Sequence, residues 1–212
     1  MIITKFTHSC LLVQTPNRNA LFDPGVYSTF VVDELPELHD IFITHAHPDH
    51  MDVDHMRQLR ARFPLARITA PADATSILTD AGIASVQTTP PDGVRLFESP
   101  HEAIRPFADA DEPQEYGYHY LNVLSHPGDS HSFQETMPIL ALPVQGPWGS
   151  TVGAMRSALS LRVQYIIPVH DWHWNAMARK QMYERMKARF AEQHITFVDL
   201  ADDMPVTITI EK

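Results

Sequence analysis

Cysteine is nearly absent from this chain. One thiol, Cys10, in 212 residues leaves no partner for an intrachain disulfide and cannot build a cysteine-ligated zinc module. It fits a reducing compartment. Long apolar runs are missing as well. None approaches the roughly 20 residues needed to span a bilayer, and the start Met1-Ile2-Ile3-Thr4-Lys5-Phe6-Thr7-His8 has neither the basic head nor the apolar stretch of a signal peptide. The chain is therefore expected to be soluble and cytoplasmic, with no membrane partner. A basic excess is the third absence: 16 Lys and Arg against 26 Asp and Glu give a net charge of −10. That balance counts against binding long nucleic acid, although two bound divalent cations would add about +4 at one place. No linker, repeat or compositional break divides the chain, so residues 1–212 read as one domain, or as two small halves sharing a core.

What the chain has in quantity is histidine, 13 in all. With so little thiol, this composition points to metal ligation by imidazole and carboxylate. Short strands are expected at 2–6, 10–15 and 20–23, with a turn at 16–19. An apolar strand at 40–44 is followed by a helix at 53–63, where Met56, Leu59, Arg60 and Phe63 recur near the helical period. A strand at 66–70, a helix at 71–81 stopped by Gly82, and strands at 86–89 and 94–98 come next. Residues 106–115 are acidic and proline-containing and read as an exposed loop. Strands at 118–125 and 137–143, a helix at 152–161, a buried strand at 165–169, a long helix at 175–192 and strands at 195–200 and 205–210 complete the chain. This order suggests helices covering stacked sheets.

The strand at 40–44 runs directly into His45-Ala46-His47-Pro48-Asp49-His50. Residues just past a strand end sit on a loop held by a rigid frame, where sites are commonly built. His45 and His47 alternate on an extended backbone and can grip one ion together; Asp49 and His50 point differently and suit a second. A chance match of this pattern in so His-rich a chain has a probability of roughly 0.4%, so a loop of solvated polar residues is the weaker explanation. Three further strand-end residues complement the run: His101, Asp129 and His170.

These segments resemble the metallo-β-lactamase-fold superfamily of metal-dependent hydrolases. The resemblance runs from His8-Ser9-Cys10-Leu11-Leu12 and Leu21-Phe22-Asp23-Pro24, through residues 44–52 and Gly128-Asp129-Ser130, to Pro168-Val169-His170. Within the superfamily the chain is most similar to short members grouped with ascorbate-6-phosphate lactonase. The resemblance implies an α+β fold, a four-layer αββα sandwich, with two metals at one edge. It implies that His45, His47 and His101 hold one ion, that Asp49, His50 and His170 hold the other, and that Asp129 bridges them. His126 competes with His101 for its place. True β-lactamases of the superfamily use Cys where Asp129 stands, so antibiotic hydrolysis is not expected. The chain is also short for the inserted domain of the nuclease branch, the C-terminal domain of the glyoxalase II-like thioesterases, or the flavin domain of the di-iron redox branch.

The chemistry so implied is attack by a metal-bridging hydroxide on a small ester, lactone or phosphoester. Asp49 would move the proton, and His173 would donate to the substrate oxyanion. Zinc suits the ligand set, with manganese and iron also compatible. The alternative is a phosphodiesterase acting on nucleotides or short nucleic acid. The expected partner is a small-molecule substrate, an anionic one included, since Gln145-Gly146-Pro147-Trp148-Gly149 precedes a helix N-terminus; a homo-oligomer is left open. Asp23 reads equally as a turn residue and as an acceptor for a ligand imidazole. His8 reads as a supporting residue or as part of the substrate pocket. Trp172 and Trp174 read equally as pocket wall and as core, while His39, His55 and His194 read as solvated surface.

Overall fold

A computed structural model describes residues 1–109, 111–200 and 203–210. The chain divides into two compact units, Met1–Asp92 with Leu200–Lys212, and Gly93–Asp199. Among the described residues each unit holds one sheet and two α-helices, giving a mixed α+β fold.

In the first unit, strands β1 (Ile2–Lys5), β2 (Leu11–Thr15), β3 (Arg18–Phe22), β4 (Asp40–Phe42), β5 (Arg67–Thr69) and β6 (Val86–Gln87) lie side by side in chain order, and β13 (Val206–Thr207) joins beyond β1. The pairings from β13 to β3 are antiparallel; those from β3 to β6 are parallel. Parallel neighbours need crossovers: α1 (Val53–Arg62) joins β4 to β5, α2 (Ala72–Asp80) joins β5 to β6, and the irregular segment 23–39 joins β3 to β4. Helix α1 starts where the Asp52 side chain caps the Asp54 amide, and it buries Met56 and Leu59. These two pack with Leu21, Ile41, Ile43 and Ile68 in one core cluster; each such burial contributes about 1.5–3 kcal/mol. Register decides where the site falls. Phe22 of β3 stands opposite Phe42 of β4, so Asp23 and the residues after Phe42 leave the sheet together at the carboxyl ends of parallel strands, a common place for sites in such sheets.

The second unit repeats the layout. Strands β7 (Val94–Phe97), β8 (Gly117–Tyr120) and β9 (Leu124–His126) pair antiparallel; β9, β10 (Ile139–Pro143), β11 (Tyr165–Val169) and β12 (Thr196–Phe197) pair parallel. Helices α3 (Thr151–Leu159) and α4 (Ala176–Ala191) follow β10 and β11, capped by Ser150 and Asn175. Pro143 stands opposite Val169, so Gln145 and His170 emerge close together. Among the described residues no helix is long and apolar enough to cross a membrane.

One expected element is corrected. Residues 118–125 form two antiparallel strands, not one. Leu121 and Asn122 have φ of 52° and 54°, the left-handed pair of a tight hairpin turn, closed by the Val123 amide on the Tyr120 carbonyl at 3.0 Å. The apolar run Leu121-Asn122-Val123-Leu124 masks this turn in the sequence, with Asn122 as its only signal. The strands expected at 195–200 and 205–210 shrink to two residues each, Thr196–Phe197 and Val206–Thr207. Within the loop expected at 106–115, Ala110 lies outside the described residues.

Candidate metal centre

In the first unit the ligand run is clamped from below by the segment after β3. The Val26 amide bonds the Pro48 carbonyl at 2.9 Å and the Asp52 amide bonds the Pro24 carbonyl at 3.1 Å. Gly25 makes the approach possible, because a Cβ there would stand 1.9 Å from the Asp49 carbonyl oxygen. Asp23 is fully buried and accepts from the Thr44 amide, from Thr44 Oγ1 and from His50 Nδ1, all at 2.8 Å. Both readings of Asp23 hold: its backbone (φ 45°) turns the chain, with the Gly25 amide on its carbonyl at 2.8 Å, while its side chain accepts from the His50 imidazole.

This network assigns the ring protons. A carboxylate only accepts, so Thr44 Oγ1 spends its one proton on Asp23 and must accept from His45 Nδ1, 3.0 Å away. His45 Nε2 then carries the lone pair and faces His47 Nδ1 at 3.1 Å. His50, donating through Nδ1 to Asp23, likewise keeps its lone pair at Nε2, 3.9 Å from Asp49 Oδ2. His8, also buried, brings Nε2 to 3.1 Å from the same Asp49 oxygen. The ligand atoms of His8, Asp49 and His50 lie within 4.8 Å of one another.

In the second unit His101, Asp129 and His170 come together. His101 Nδ1 donates to the Glu102 carbonyl at 2.6 Å and His170 Nδ1 to the Gln145 carbonyl at 2.5 Å. Carbonyls only accept, so both neutral rings hold their lone pairs at Nε2. Those atoms stand 3.8 and 3.0 Å from Asp129 Oδ2. Lone pairs aimed at a carboxylate oxygen repel unless a cation lies between them, so this donor set fits a divalent ion. His126 is turned to another task, its Nδ1 accepting from the Gly128 amide at 3.3 Å.

Several supporting residues escape sequence reasoning. Glu115, at the end of the loop expected to be exposed, folds back to accept the Asp129 amide at 3.0 Å, and a Cβ on Gly128 (φ 67°) would meet its carboxyl carbon at 2.7 Å. Glu102 accepts from the His131 amide and Ser132 Oγ, both at 2.8 Å. Burial pushes the His131 imidazole below its ordinary range, and its Nε2 bonds the Pro143 carbonyl at 2.8 Å. No spacing pattern announces these contacts; only Gly25, in Asp23-Pro24-Gly25, carries a turn signal.

Trp148 stands edge-on to His101, His131 and His170, with ring centroids 6.2, 5.2 and 5.1 Å away. The exposed His173 is stacked at 6.0 Å beside His170, with the half-exposed Trp172 edge-on to it. Trp174 packs against Tyr183 at the core cluster, in line with its core reading. His39 and His194 are exposed, as expected. His55 is not: it packs on Phe30 and bonds the Gly25 carbonyl at 3.1 Å.

Residues 2–170 match the family described as the beta-lactamase superfamily domain. The chain belongs to this superfamily. Protein Rv0786c of Mycobacterium tuberculosis (strain ATCC 25618 / H37Rv) is 30% identical over 185 residues, covering 81% of this chain and 84% of its own. Among solved structures, a putative metal-dependent hydrolase from Parabacteroides distasonis superposes with a TM-score of 0.71 at 20% identity, over 92% of this chain and 90% of that one. CmlA, a diiron β-hydroxylase from Streptomyces venezuelae, gives 0.68 at 13% identity, over 99% of this chain and 54% of that one. These superpositions establish the superfamily's fold for the chain.

Proposed function

We propose that this superfamily member is a dinuclear metal-dependent hydrolase of a small ester, lactone or phosphoester. On the ligand sets that the sequence resemblance implies, His45, His47 and His101 would hold one divalent ion, Asp49, His50 and His170 would hold the second, and Asp129 would serve both. The observation that carries this reading is the tautomer control at His45, His50, His101 and His170: each ring has Nδ1 committed to an acceptor and Nε2 left as the ligand atom. His101 is chosen over His126 because its Nε2 faces Asp129. The nitrogen and oxygen donors suit zinc.

Two such ions, when bound, lower the pKa of water toward neutrality and polarise a substrate oxygen. Asp49 then takes the proton released in the attack and returns it to the leaving oxygen, and His173 donates to the developing oxyanion. Trp148 offers an apolar wall for the part of the substrate next to the reacting bond. The lactone option follows from the sequence resemblance to ascorbate-6-phosphate lactonases.

The test is metal analysis with a substrate panel. Wild type is expected to bind two equivalents of zinc, and His47→Ala to lose metal together with turnover. Fewer than one equivalent in reconstituted wild type would refute the dinuclear centre. Turnover of bis-p-nitrophenyl phosphate without turnover of lactones would move the assignment to a phosphodiesterase.

A further inference from the structure

The tight connection between β1 and β2 contains two consecutive left-handed residues, Thr7 (φ 64°) and His8 (φ 55°). It is closed by the Phe6 amide on the Cys10 carbonyl at 2.9 Å and the Cys10 amide on the Thr7 carbonyl at 3.1 Å. Such positions favour Gly, Asn, Asp or His; the β-branched Thr7 is the strained choice of the pair. Strain of this kind persists where the surrounding structure over-determines it, and it concentrates at functional sites. Here the outcome is specific. The left-handed backbone turns the His8 ring inward until the residue is 1% exposed, with Nε2 at 3.1 Å from Asp49 Oδ2. The ring is wedged edge-on between His50, with centroids 5.7 Å apart, and Tyr27, 5.4 Å apart.

We propose that His8 is a positioning residue for Asp49: its Nε2–H holds Oδ2 and thereby fixes which way the carboxylate presents its oxygens to the ion and to the transferred proton. The inference rests on the metal-hydrolase reading. Rotation about the Cβ–Cγ bond changes how the two carboxylate oxygens are presented, and a rotation of about 30° displaces a ligand oxygen enough to matter to catalysis. His8 comes from a different hairpin than the ligand run, so the orientation of Asp49 is set by the β1–β2 connection and not by the loop that carries Asp49.

The rival role for His8 is direct ligation of the ion, and the experiment separates the two. In His8→Ala, zinc stoichiometry is expected to remain at the wild-type value, while kcat on the best substrate of the panel falls roughly 10–100-fold with KM little changed. His8→Gln, whose amide N–H can reach the same oxygen, should recover part of that loss. In metal-free protein, a double-mutant cycle of His8→Ala with Asp49→Asn should be non-additive in the denaturation midpoint. Loss of one zinc equivalent in His8→Ala would make His8 a ligand and overturn the proposal; so would unchanged kcat, or an additive cycle. If wild type binds no zinc, the metal reading fails by itself, and the cycle, which needs neither metal nor substrate, still decides the His8–Asp49 contact.

Discussion

Replacing Asp23 with Asn changes almost no volume and tests the tautomer argument directly. The carboxylate now accepts three bonds, from the Thr44 amide, Thr44 Oγ1 and His50 Nδ1. An Asn in the same pose keeps its carbonyl oxygen toward the Thr44 amide, so that bond survives. Its NH2 group then occupies the place of Oδ2, facing Thr44 Oγ1 and His50 Nδ1. Thr44 Oγ1 can accept instead of donate, and its own proton turns toward His45 Nδ1. His50 Nδ1 must also accept, which moves the His50 proton to Nε2, the ligand atom. Both rings are thus driven to the tautomer that cannot bind an ion through Nε2. The stability loss is expected to be small, about 1–2 kcal/mol, because every polar atom retains a partner. Zinc affinity is expected to fall by roughly 10–100-fold or more. Asp23→Ala makes the contrast: it strands three buried donors and should destabilise by about 3–5 kcal/mol. Urea denaturation of metal-free protein measures the first quantity, and zinc titration by calorimetry the second. Asp23→Asn with wild-type zinc affinity would refute the claim that Asp23 sets the ligand tautomers.

Gly25→Ala should cost about 2–4 kcal/mol, because a Cβ at 1.9 Å from the Asp49 carbonyl oxygen parts the two loops and breaks the Val26–Pro48 and Asp52–Pro24 bonds; a midpoint within error of wild type in denaturation would contradict the packing described. His119 supplies a pH dependence away from the metal ligands. Burial, then the nearby Arg95, lowers its pKa from 6.5 to about 4, against a smaller raising effect from Glu135. A base whose folded pKa is depressed binds fewer protons folded than unfolded, so its contribution is complete above about pH 6.5 and is lost as pH falls toward 4. The upper bound is about 3 kcal/mol, and solvent screening of the half-exposed Arg95, whose charge lowers the pKa, reduces it to about 1–2. Metal-free wild type should therefore lose that much more stability than His119→Asn between about pH 7.5 and pH 5. Parallel stability curves for the two proteins would rule it out.

The candidate run at 45–50 stands out in the sequence because its four ligand-type residues are neighbours in the chain, and the three candidate partners because each follows an apolar strand. The supporting contacts were not legible for a physical reason. His101 and His170 are oriented by the carbonyls of Glu102 and Gln145, and every residue has a carbonyl, so side-chain identity carries no sign of it. Glu115 reaches the Asp129 amide from 14 residues away, out of a segment whose acidity reads as solvation. Helices α1 to α4 fell close to their expected spans because their periods and caps are local. The hairpin at Leu121-Asn122 was missed because its turn residues are embedded in an apolar run, and turn chemistry is what separates two strands from one. The repeated layout of the two units leaves no sequence repeat, since a sheet with crossovers constrains apolar pattern and length far more than residue identity.

That layout also explains how imidazole orientation is secured. His50 follows β4, and its acceptor Asp23 follows β3, the parallel neighbour in register at Phe22 and Phe42. His170 follows β11, and its acceptor carbonyl at Gln145 follows β10, in register at Pro143 and Val169. In both units a ligand on one strand end is held by an acceptor on the next. Backbone hydrogen bonding fixes the strand ends, and the strand ends fix the ring protons. On the proposed metal reading, the sheet itself would aim the lone pairs before any ion arrives, lowering the cost of ordering the ligands on binding. A loop carrying the same residues without that pairing would present the same elements of chemistry, with the proton on either nitrogen.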